Sequence, residues 1–385
     1  MIAKDDIVIR KAILHILDTN RGECVLSNTL LDPGPDLHDF IRNHIYKIVS
    51  SDDTKNCEFD PEYSPIYSIL ETWDETDEAS FIETSQAIAN KLYIAMGEGL
   101  DIPAADLLFV TFQAEGTIYL ALLKMNYKES YTHEVTVDSS YELHHAAHTN
   151  NDTPSSEPNS DEDTAQIEDT MEVDDTIEDV ISDNPIINTE IIKTHSLLPS
   201  ATSRIPEAVI INLSDYHIKL LEKRYEINGE KAYYLSENFL VCRTSIPPKK
   251  KLNILTRVIN NISNKYDGAD LKTKMDTKSA LQKEYVDRKS FDIEEIGNKL
   301  FGKSPEKKSE FDEKMEQYDL QYDNFTVTNE NTVKKLEKQV MVTDSGIEIS
   351  IPMETYNKLA NFEVQTDVTG KSTIIIRNID NLVLK

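Results

Sequence analysis

A cluster of basic residues is the strongest chemical signal in the sequence. Positions 247–289 contain eleven lysines and arginines against five acidic residues, a local formal charge of +6 in a chain whose formal net charge is −29. Concentrated cationic groups neutralise phosphates and release counterions, so this pattern favours contact with DNA. Solvated helix faces also carry lysines, and charge alone leaves that alternative open. The residues predicted to contact DNA are Lys249, Lys250, Lys251, Arg257, Lys265, Lys272, Lys274, Lys278, Arg288 and Lys289.

A second set of residues resembles a metal-dependent nuclease site only loosely. Asp106 and Glu115 could hold Mg²⁺ while Lys124 supports an attacking water. However, Glu115 also fits a turn, and Asp106 simply precedes a strand. The HHAAH cluster at 144–148 has metal-ligand spacing but falls at the start of a polar insert. The sequence has no phosphate-binding glycine loop and no GxSxG or HExxH motif, so we predict a non-enzymatic protein without cofactor or metal.

An acidic run interrupts the chain near its middle. Residues 150–183 carry thirteen acidic side chains and no basic one, and without those thirteen the net charge of −29 becomes −16. The serines, together with Pro154 and Pro158, predict an unstructured segment, which we place at 139–195. Apolar residues recur through the acidic run from Ile167 to Ile181. The insert is therefore either a solvated tether or a docking segment for a basic protein partner.

Residues 1–138 are predicted to form an N-terminal α+β domain with a mainly antiparallel sheet. Two strands flank a turn at 20–22, and "DLLFVTFQAEGTIYLALLKMNY" predicts a buried hairpin turning at Glu115-Gly116. "PDLHDFIRNHIYKIV" has the apolar spacing of a helix. A second helix presents one stripe from Phe81 to Ala95, which offers either a packing surface for the sheet or a dimer surface.

Residues 196–385 are predicted to form a C-terminal α+β domain. "EAVIINL" and the segment around Asn228-Gly229 predict strands and a tight hairpin. Prolines at 247 and 248 start a basic helical segment that runs through about residue 317. "GIEISI", "FEVQTDV" and "STIIIRNI" predict a closing β segment. The fold class is therefore α+β, with two folded units separated by a disordered acidic insert.

The three cysteines are far apart in the sequence, with no zinc-type spacing, which favours reduced thiols in a cytoplasmic protein. Charged residues interrupt the N-terminal segment, so a signal peptide is not expected. No apolar run has the length of a membrane span, and we predict no membrane association.

Several stretches resemble the bacterial nucleoid-associated protein family of NdpA/YejK type. They are "AILHIL…LSNTLLD", "DLLFVTFQAEGTIYLALLKMNYKESYTH", "EAVIINLSDYHIKLLEKRYEINGEKAYYLSENFLVC" and "VMVTDSGIEISIPMETYNKL…STIIIRNI". The resemblance covers nearly the whole chain except about 139–190. It implies a cytoplasmic protein of the nucleoid that binds double-stranded DNA as a homodimer and has no established catalytic residues. The acidic insert departs from the family pattern.

We therefore predict a non-enzymatic nucleoid-associated protein that binds duplex DNA with low sequence specificity through its basic helices. The insert would modulate binding by competing with DNA for the basic surface. The main alternative is an acidic adaptor that binds a DNA-processing enzyme, which the charge of −16 outside the acidic run supports. A metal-dependent nuclease or defence protein is the weaker one.

Overall fold

The computed structural model describes residues 2–99, 101–137, 187–268, 271–357, 362–367, 371–379 and 381. The chain divides into two compact units, one formed by Met1–Tyr127 with Leu198–Lys385 and the other by Lys128–Leu197. The acidic run, the HHAAH cluster and most of the predicted insert lie outside the described residues. None of the described helices combines the length and the apolar character needed to span a bilayer.

The larger unit is built on an eight-stranded antiparallel sheet of β1 (Val8–Asp18), β2 (Glu23–Val25), β3 (Lys55–Phe59), β4 (Ala105–Ala114), β5 (Thr117–Asn126), β8 (Glu207–Asn212), β9 (Ile218–Leu221) and β12 (Cys242–Thr244). The order of the strands in the sheet is β12-β3-β9-β8-β5-β4-β1-β2. Strand β5 pairs directly with β8, with Leu123 opposite Ala208. One sheet thus contains strands from both sides of the predicted insert. The boundaries of the two compact units therefore differ from the predicted domain boundaries at 138 and 196.

The hairpin of β4 and β5 forms the centre of this sheet. Glu115 and Gly116 turn the chain with φ values of 50° and 80°, a left-handed conformation that glycine adopts without steric cost. Alternate side chains of the two strands enter separate apolar clusters on the two faces of the sheet. The predicted hairpin, buried on both faces, is confirmed, and so is the α+β fold class with mainly antiparallel sheets.

Helices cover both faces of the sheet. Helix α1 (Pro35–Val49) packs on one face through Ile41, Ile45 and Ile48. Helices α2 (Pro65–Glu71) and α3 (Glu78–Gly97) pack on the other. The apolar stripe of α3 is buried against the sheet, where His15 also forms a 3.0 Å hydrogen bond with Ser85. Of the two predicted roles for this stripe, the structure shows packing onto the sheet.

A helical region with its own apolar core follows the last strand of the sheet. Its core joins the inner faces of the helices with two short paired strands, β13 (Phe291–Asp292) and β14 (Asn324–Phe325). The helices are α4 (Pro248–Asp267), α5 (Leu271–Arg288), α6 (Ile293–Phe301), α7 (Pro305–Glu316) and α8 (Glu330–Glu337). These helices lie where the sequence predicts the basic helical segment, and α8 extends the helical region beyond residue 317.

Asp52 connects the sheet to the helical region. Its side chain is 3% exposed and accepts hydrogen bonds from the backbone N–H groups of Thr328 (2.8 Å) and Asn329 (3.0 Å), just before α8. Its backbone carbonyl accepts a third bond, from the N–H of Lys249 in the first turn of α4 (3.1 Å). One buried residue thereby fixes the starts of two helices that carry basic side chains.

The remaining strands form small two-stranded sheets. Asn228 and Gly229, with φ values of 53° and 85°, turn the hairpin of β10 (Tyr225–Ile227) and β11 (Glu230–Ala232), as the sequence predicts. The closing segment pairs β15 (Lys338–Val342) with β16 (Glu348–Pro352) and β17 (Phe362–Thr366) with β18 (Ser372–Ile376), and α9 (Met353–Asn357) lies between the pairs in sequence. In the smaller unit, β6 (Lys128–Val137) pairs antiparallel with β7 (Ile187–Leu197).

Candidate nucleic-acid interface

Helix α4 carries the start of the predicted DNA-contacting set. Pro248 occupies its first turn, where a missing N–H costs nothing, and its apolar face enters the helical core through Leu252, Leu255, Val258, Ile259 and Ile262. Burial of that face leaves the lysines and Arg257 on the outer part of the helix. The hydrogen bond from the backbone of Lys249 to Asp52 then fixes the helix start beside the sheet.

Four of the predicted residues are paired with carboxylates. Lys249 lies 2.8 Å from Asp53, Lys251 lies 2.6 Å from Asp323, and Lys265 lies 2.6 Å from Glu310. Glu310 raises the pKa of Lys265, so that lysine is stabilised as a cation by its partner. Arg288 is paired with both Glu295 and Glu284. The local charge of +6 in the sequence is therefore partly neutralised in the fold.

Other predicted residues contact aromatic rings or no acid at all. Arg257 donates a 2.8 Å hydrogen bond to the hydroxyl of Tyr318, and the ammonium of Lys289 lies 5.3 Å from the ring centroid of Tyr285. Lys250 and Lys274 are exposed and have no ion-pair partner among the described residues. The backbone of Lys272 belongs to α5, and its side chain lies outside the part of the structure that is described.

Three of the predicted lysines line one cleft between α4, α5 and α8. The cleft has a volume of about 420 Å³ and is bounded by Lys249, Lys274 and Lys278, with a fourth lysine, Lys335, contributed by α8. Its described lining residues include no carboxylate, and its polar wall is otherwise made of asparagine, threonine and glutamine side chains. We call this site the lysine cleft. Positive charge without a lining carboxylate favours an anionic ligand.

Lys278 is a lysine of the cleft whose hydrogen-bond acceptors are neutral. Its ammonium donates to two neutral oxygens, the carbonyl of Lys338 at 2.8 Å and Oε1 of Gln339 at 3.0 Å. Burial lowers its pKa because desolvation disfavours the charged form. A half-buried cation whose acceptors among the described residues are neutral gains stability when an anion binds beside it.

A second cavity lies beside the lysine cleft and was not predicted from the sequence. It has a volume of about 370 Å³, and its lining includes His44 and Lys47 of α1 together with Arg204 and Lys223. We call it the α1 cavity. Asp53 also lines it and contacts both Lys249 (2.8 Å) and Arg204 (3.9 Å), so this carboxylate lies between the two sites.

The residues of the nuclease-like set do not come together. Glu115 lies at the hairpin turn, whereas Asp106 and Lys124 lie at the opposite end of β4 and β5 and enter different faces of the sheet. Asp106 accepts a 2.5 Å hydrogen bond from Tyr127, and Lys124 donates a 2.9 Å hydrogen bond to Glu207. Among the described residues there is no cluster of three or more His, Cys, Asp or Glu side chains that could hold a metal ion. The HHAAH cluster lies outside those residues.

Comparison with known families gives a match over nearly the whole chain. Residues 13–383 match the family described as nucleoid-associated protein YejK, and the chain belongs to this family of nucleoid-associated proteins. A comparison with curated proteins finds no match.

Proposed function

We propose that this chain binds double-stranded DNA with low sequence specificity, using the lysine cleft and its rim as the phosphate-binding surface. The observation that carries the proposal is the convergence of four lysines, Lys249, Lys274, Lys278 and Lys335, on a cleft whose described lining residues include no carboxylate. Ammonium groups act on phosphates as point charges and read no base edge, which favours positioning on the backbone over sequence recognition. Membership of a nucleoid-associated family supports the same assignment.

The ion pairs divide the ten predicted residues into two groups. Lys249, Lys251, Lys265 and Arg288 already have carboxylate partners, and a phosphate would have to compete with these. Lys250 and Lys274 have no such partner among the described residues, and Lys278 is held by neutral oxygens. We therefore place the principal contacts at Lys250 and at Lys274, Lys278 and Lys335 of the lysine cleft, with Arg257 and Lys289 at the periphery.

A salt titration of duplex binding tests this proposal. The variant Lys274→Gln/Lys335→Gln removes two cleft cations that have no ion-pair partner among the described residues, so the fold should remain intact. Each lost phosphate contact should reduce the slope of log affinity against log salt by about 0.9, or about 1.8 for both. The matched control is Lys231→Gln/Lys303→Gln, which removes the same charge from exposed positions outside both cavities.

The proposal predicts that the two variants differ in the slope of log affinity against log salt. The control should keep the parental slope, because its lysines lie outside the proposed contact surface. Equal losses in both variants would show that DNA responds only to overall charge. No DNA retention by the intact chain at any salt would favour the rival, an acidic adaptor for a DNA-processing enzyme. The net charge of −16 outside the acidic run and the four carboxylate-paired cations of the predicted set support that rival.

The acidic run and the oligomeric state extend the proposal. We assign the protein to the cytoplasmic nucleoid as a non-enzymatic homodimer, and we assign the run at 150–183 the role of a phosphate mimic that competes for the lysines. Deleting 150–183 removes thirteen acidic side chains and should tighten DNA binding most strongly at low salt, where charges interact over longer distances. Unchanged affinity in the deletion would contradict the phosphate-mimic role and leave the lysine cleft to be tested separately.

A further inference from the structure

The α1 cavity contains a buried polar group without a partner. The imidazole of His44 is 0% exposed, and neither of its ring nitrogens has a hydrogen-bond partner among the described residues. Burial, with a smaller contribution from the nearby Lys47 charge, lowers the pKa of His44 to about 4, so the ring is neutral at pH 7. Buried polar atoms in folded proteins nearly always have partners. The unpaired imidazole in the wall of a cavity therefore points to a ligand that supplies them.

The cations around this cavity have few counter-charges among the described residues. The ammonium of Lys47 donates to the backbone carbonyls of Ala201 (2.7 Å) and Ser203 (3.3 Å) rather than to an acid. Arg204 approaches Asp53 only to 3.9 Å, and Lys223 is exposed with no ion-pair partner among the described residues.

The two carboxylates that line the cavity are already engaged by residues outside it. Asp53 accepts from Lys249 at 2.8 Å, and Glu222 accepts from Lys55 at 2.6 Å and from the hydroxyl of Ser236 at 2.9 Å. Among its described lining residues the cavity therefore carries more positive than negative charge. The charge of Arg204 accordingly contributes, after burial, to lowering the pKa of Lys47.

The rest of the lining is apolar. Ile48, Ile205, Pro206 and Leu221 contribute walls that could contact the faces of a flat ring. A neutral imidazole offers one hydrogen-bond donor and one acceptor. Nucleobase edges carry donors and acceptors side by side, and phosphates bind cationic side chains through charge-assisted hydrogen bonds.

We propose that the α1 cavity binds a nucleotide, with the base between the apolar walls and hydrogen-bonded to His44, and the phosphate bound by Lys47, Arg204 and Lys223. A free nucleotide and an unpaired nucleotide at a DNA end both supply this chemistry. The site is distinct from the lysine cleft, since the Asp53–Lys249 ion pair lies between them. Binding of a free nucleotide does not depend on the proposed DNA function.

Isothermal titration of the full chain with the four deoxynucleoside monophosphates tests the site. At least one should bind about tenfold more tightly than its deoxynucleoside and than inorganic phosphate, because only the nucleotide engages both His44 and the cations. Arg204→Gln/Lys223→Gln should weaken the nucleotide about tenfold and leave the nucleoside unchanged. The control Lys231→Gln/Lys303→Gln should bind as the parent does.

The contribution of His44 is tested separately. His44→Phe should abolish the advantage of the nucleotide over phosphate, and His44→Gln, which retains a donor and an acceptor, should restore part of it. Thermal unfolding of each variant identifies loss of fold. Absence of nucleotide binding by the intact chain would overturn the proposal, and so would phosphate binding as tight as the nucleotide.

Competition against a bound fluorescent deoxynucleoside monophosphate separates the two sources. Displacement by a duplex with a single-stranded overhang, but not by a blunt duplex, assigns the cavity to unpaired nucleotides of DNA. Displacement by neither duplex assigns it to free nucleotides. Equal displacement by both would overturn a base-binding cavity, because a blunt duplex offers only its backbone and paired bases.

Discussion

Replacing Lys124 by methionine should destabilise the protein more than any surface substitution, because it leaves a buried carboxylate without its counter-charge. Lys124 is 2% exposed, and its ammonium donates to Glu207 (2.9 Å), to Oδ1 of Asn126 (2.7 Å) and to the carbonyl of Pro103 (3.1 Å). Glu207 is 0% exposed and also accepts a 2.9 Å hydrogen bond from the hydroxyl of Tyr225. The ion pair therefore joins β5, which precedes the smaller unit in the sequence, to β8, which follows it.

The size of the effect follows from the burial of both partners. Removing one member of a buried, hydrogen-bonded ion pair costs about 3–5 kcal/mol, since the remaining charge keeps its desolvation penalty. Lys124→Met preserves the aliphatic volume, so packing contributes little to the loss. The double variant Lys124→Met/Glu207→Gln removes both charges and keeps an acceptor for Tyr225. It should therefore recover most of the lost stability.

Urea unfolding followed by tryptophan fluorescence measures these differences. The chain has one tryptophan, Trp73, which packs against Phe109 of β4 with ring centroids 5.9 Å apart and so reports on the same sheet. Lys231→Met at an exposed position is the control and should change stability by less than about 0.5 kcal/mol. A cost below about 1 kcal/mol for Lys124→Met, or no recovery in the double variant, would refute the argument that an uncompensated buried charge dominates.

Two further outcomes are expected from buried polar groups. Asp52→Ala removes the acceptor for two backbone N–H groups ahead of α8 and should lower the free energy of unfolding by about 3 kcal/mol, whereas Asp53→Ala, at a half-exposed neighbour, should cost much less in the same urea assay. Burial lowers the pKa of His15 and of His44 to about 4, so between pH 6.5 and pH 4 the unfolded chain binds protons that the folded chain does not. Stability should therefore fall as pH is lowered through this window, by up to roughly 3 kcal/mol for each histidine. A urea midpoint that stays constant from pH 7 to pH 4.5 would contradict this. A His44→Phe variant that loses as much stability over this pH range as the parent does would also contradict it.

The parts of the fold that the sequence predicted are those determined by neighbouring residues in the sequence. The Glu115-Gly116 and Asn228-Gly229 turns follow from residues that tolerate positive φ, and the stripe of α3 follows from the helical period. The pairing of β5 with β8 has no such local signal, because its partners are separated by the smaller unit and meet only through long-range contacts. For that reason no local feature of the sequence indicates that strands from both sides of the predicted insert share one sheet.

The candidate site likewise has a part that the sequence could predict and a part that it could not. The lysines of α4 and α5 could be found by counting charges, but their partners could not, since Lys265 meets Glu310 across 45 residues of sequence. Lys335 enters the lysine cleft only because α8 packs beside α5. No pattern in the sequence indicated the α1 cavity, because His44 and Arg204 are brought together by the packing of α1 on the sheet and not by any motif.

In the proposed binding of DNA, the net charge and the lysine cleft act at different distances. At physiological ionic strength the Debye length is about 8 Å, so a bound phosphate responds mainly to the groups that line the lysine cleft and hardly to distant carboxylates. An approaching duplex meets the field of the whole molecule, with a formal net charge of −29, before it reaches the four lysines. The acidic surface should therefore oppose association, whereas the lysine cleft should stabilise the proposed bound state. We therefore expect a chain with this charge to retain DNA only where carboxylates are kept out of the contact surface, and the described lining residues of the lysine cleft include none.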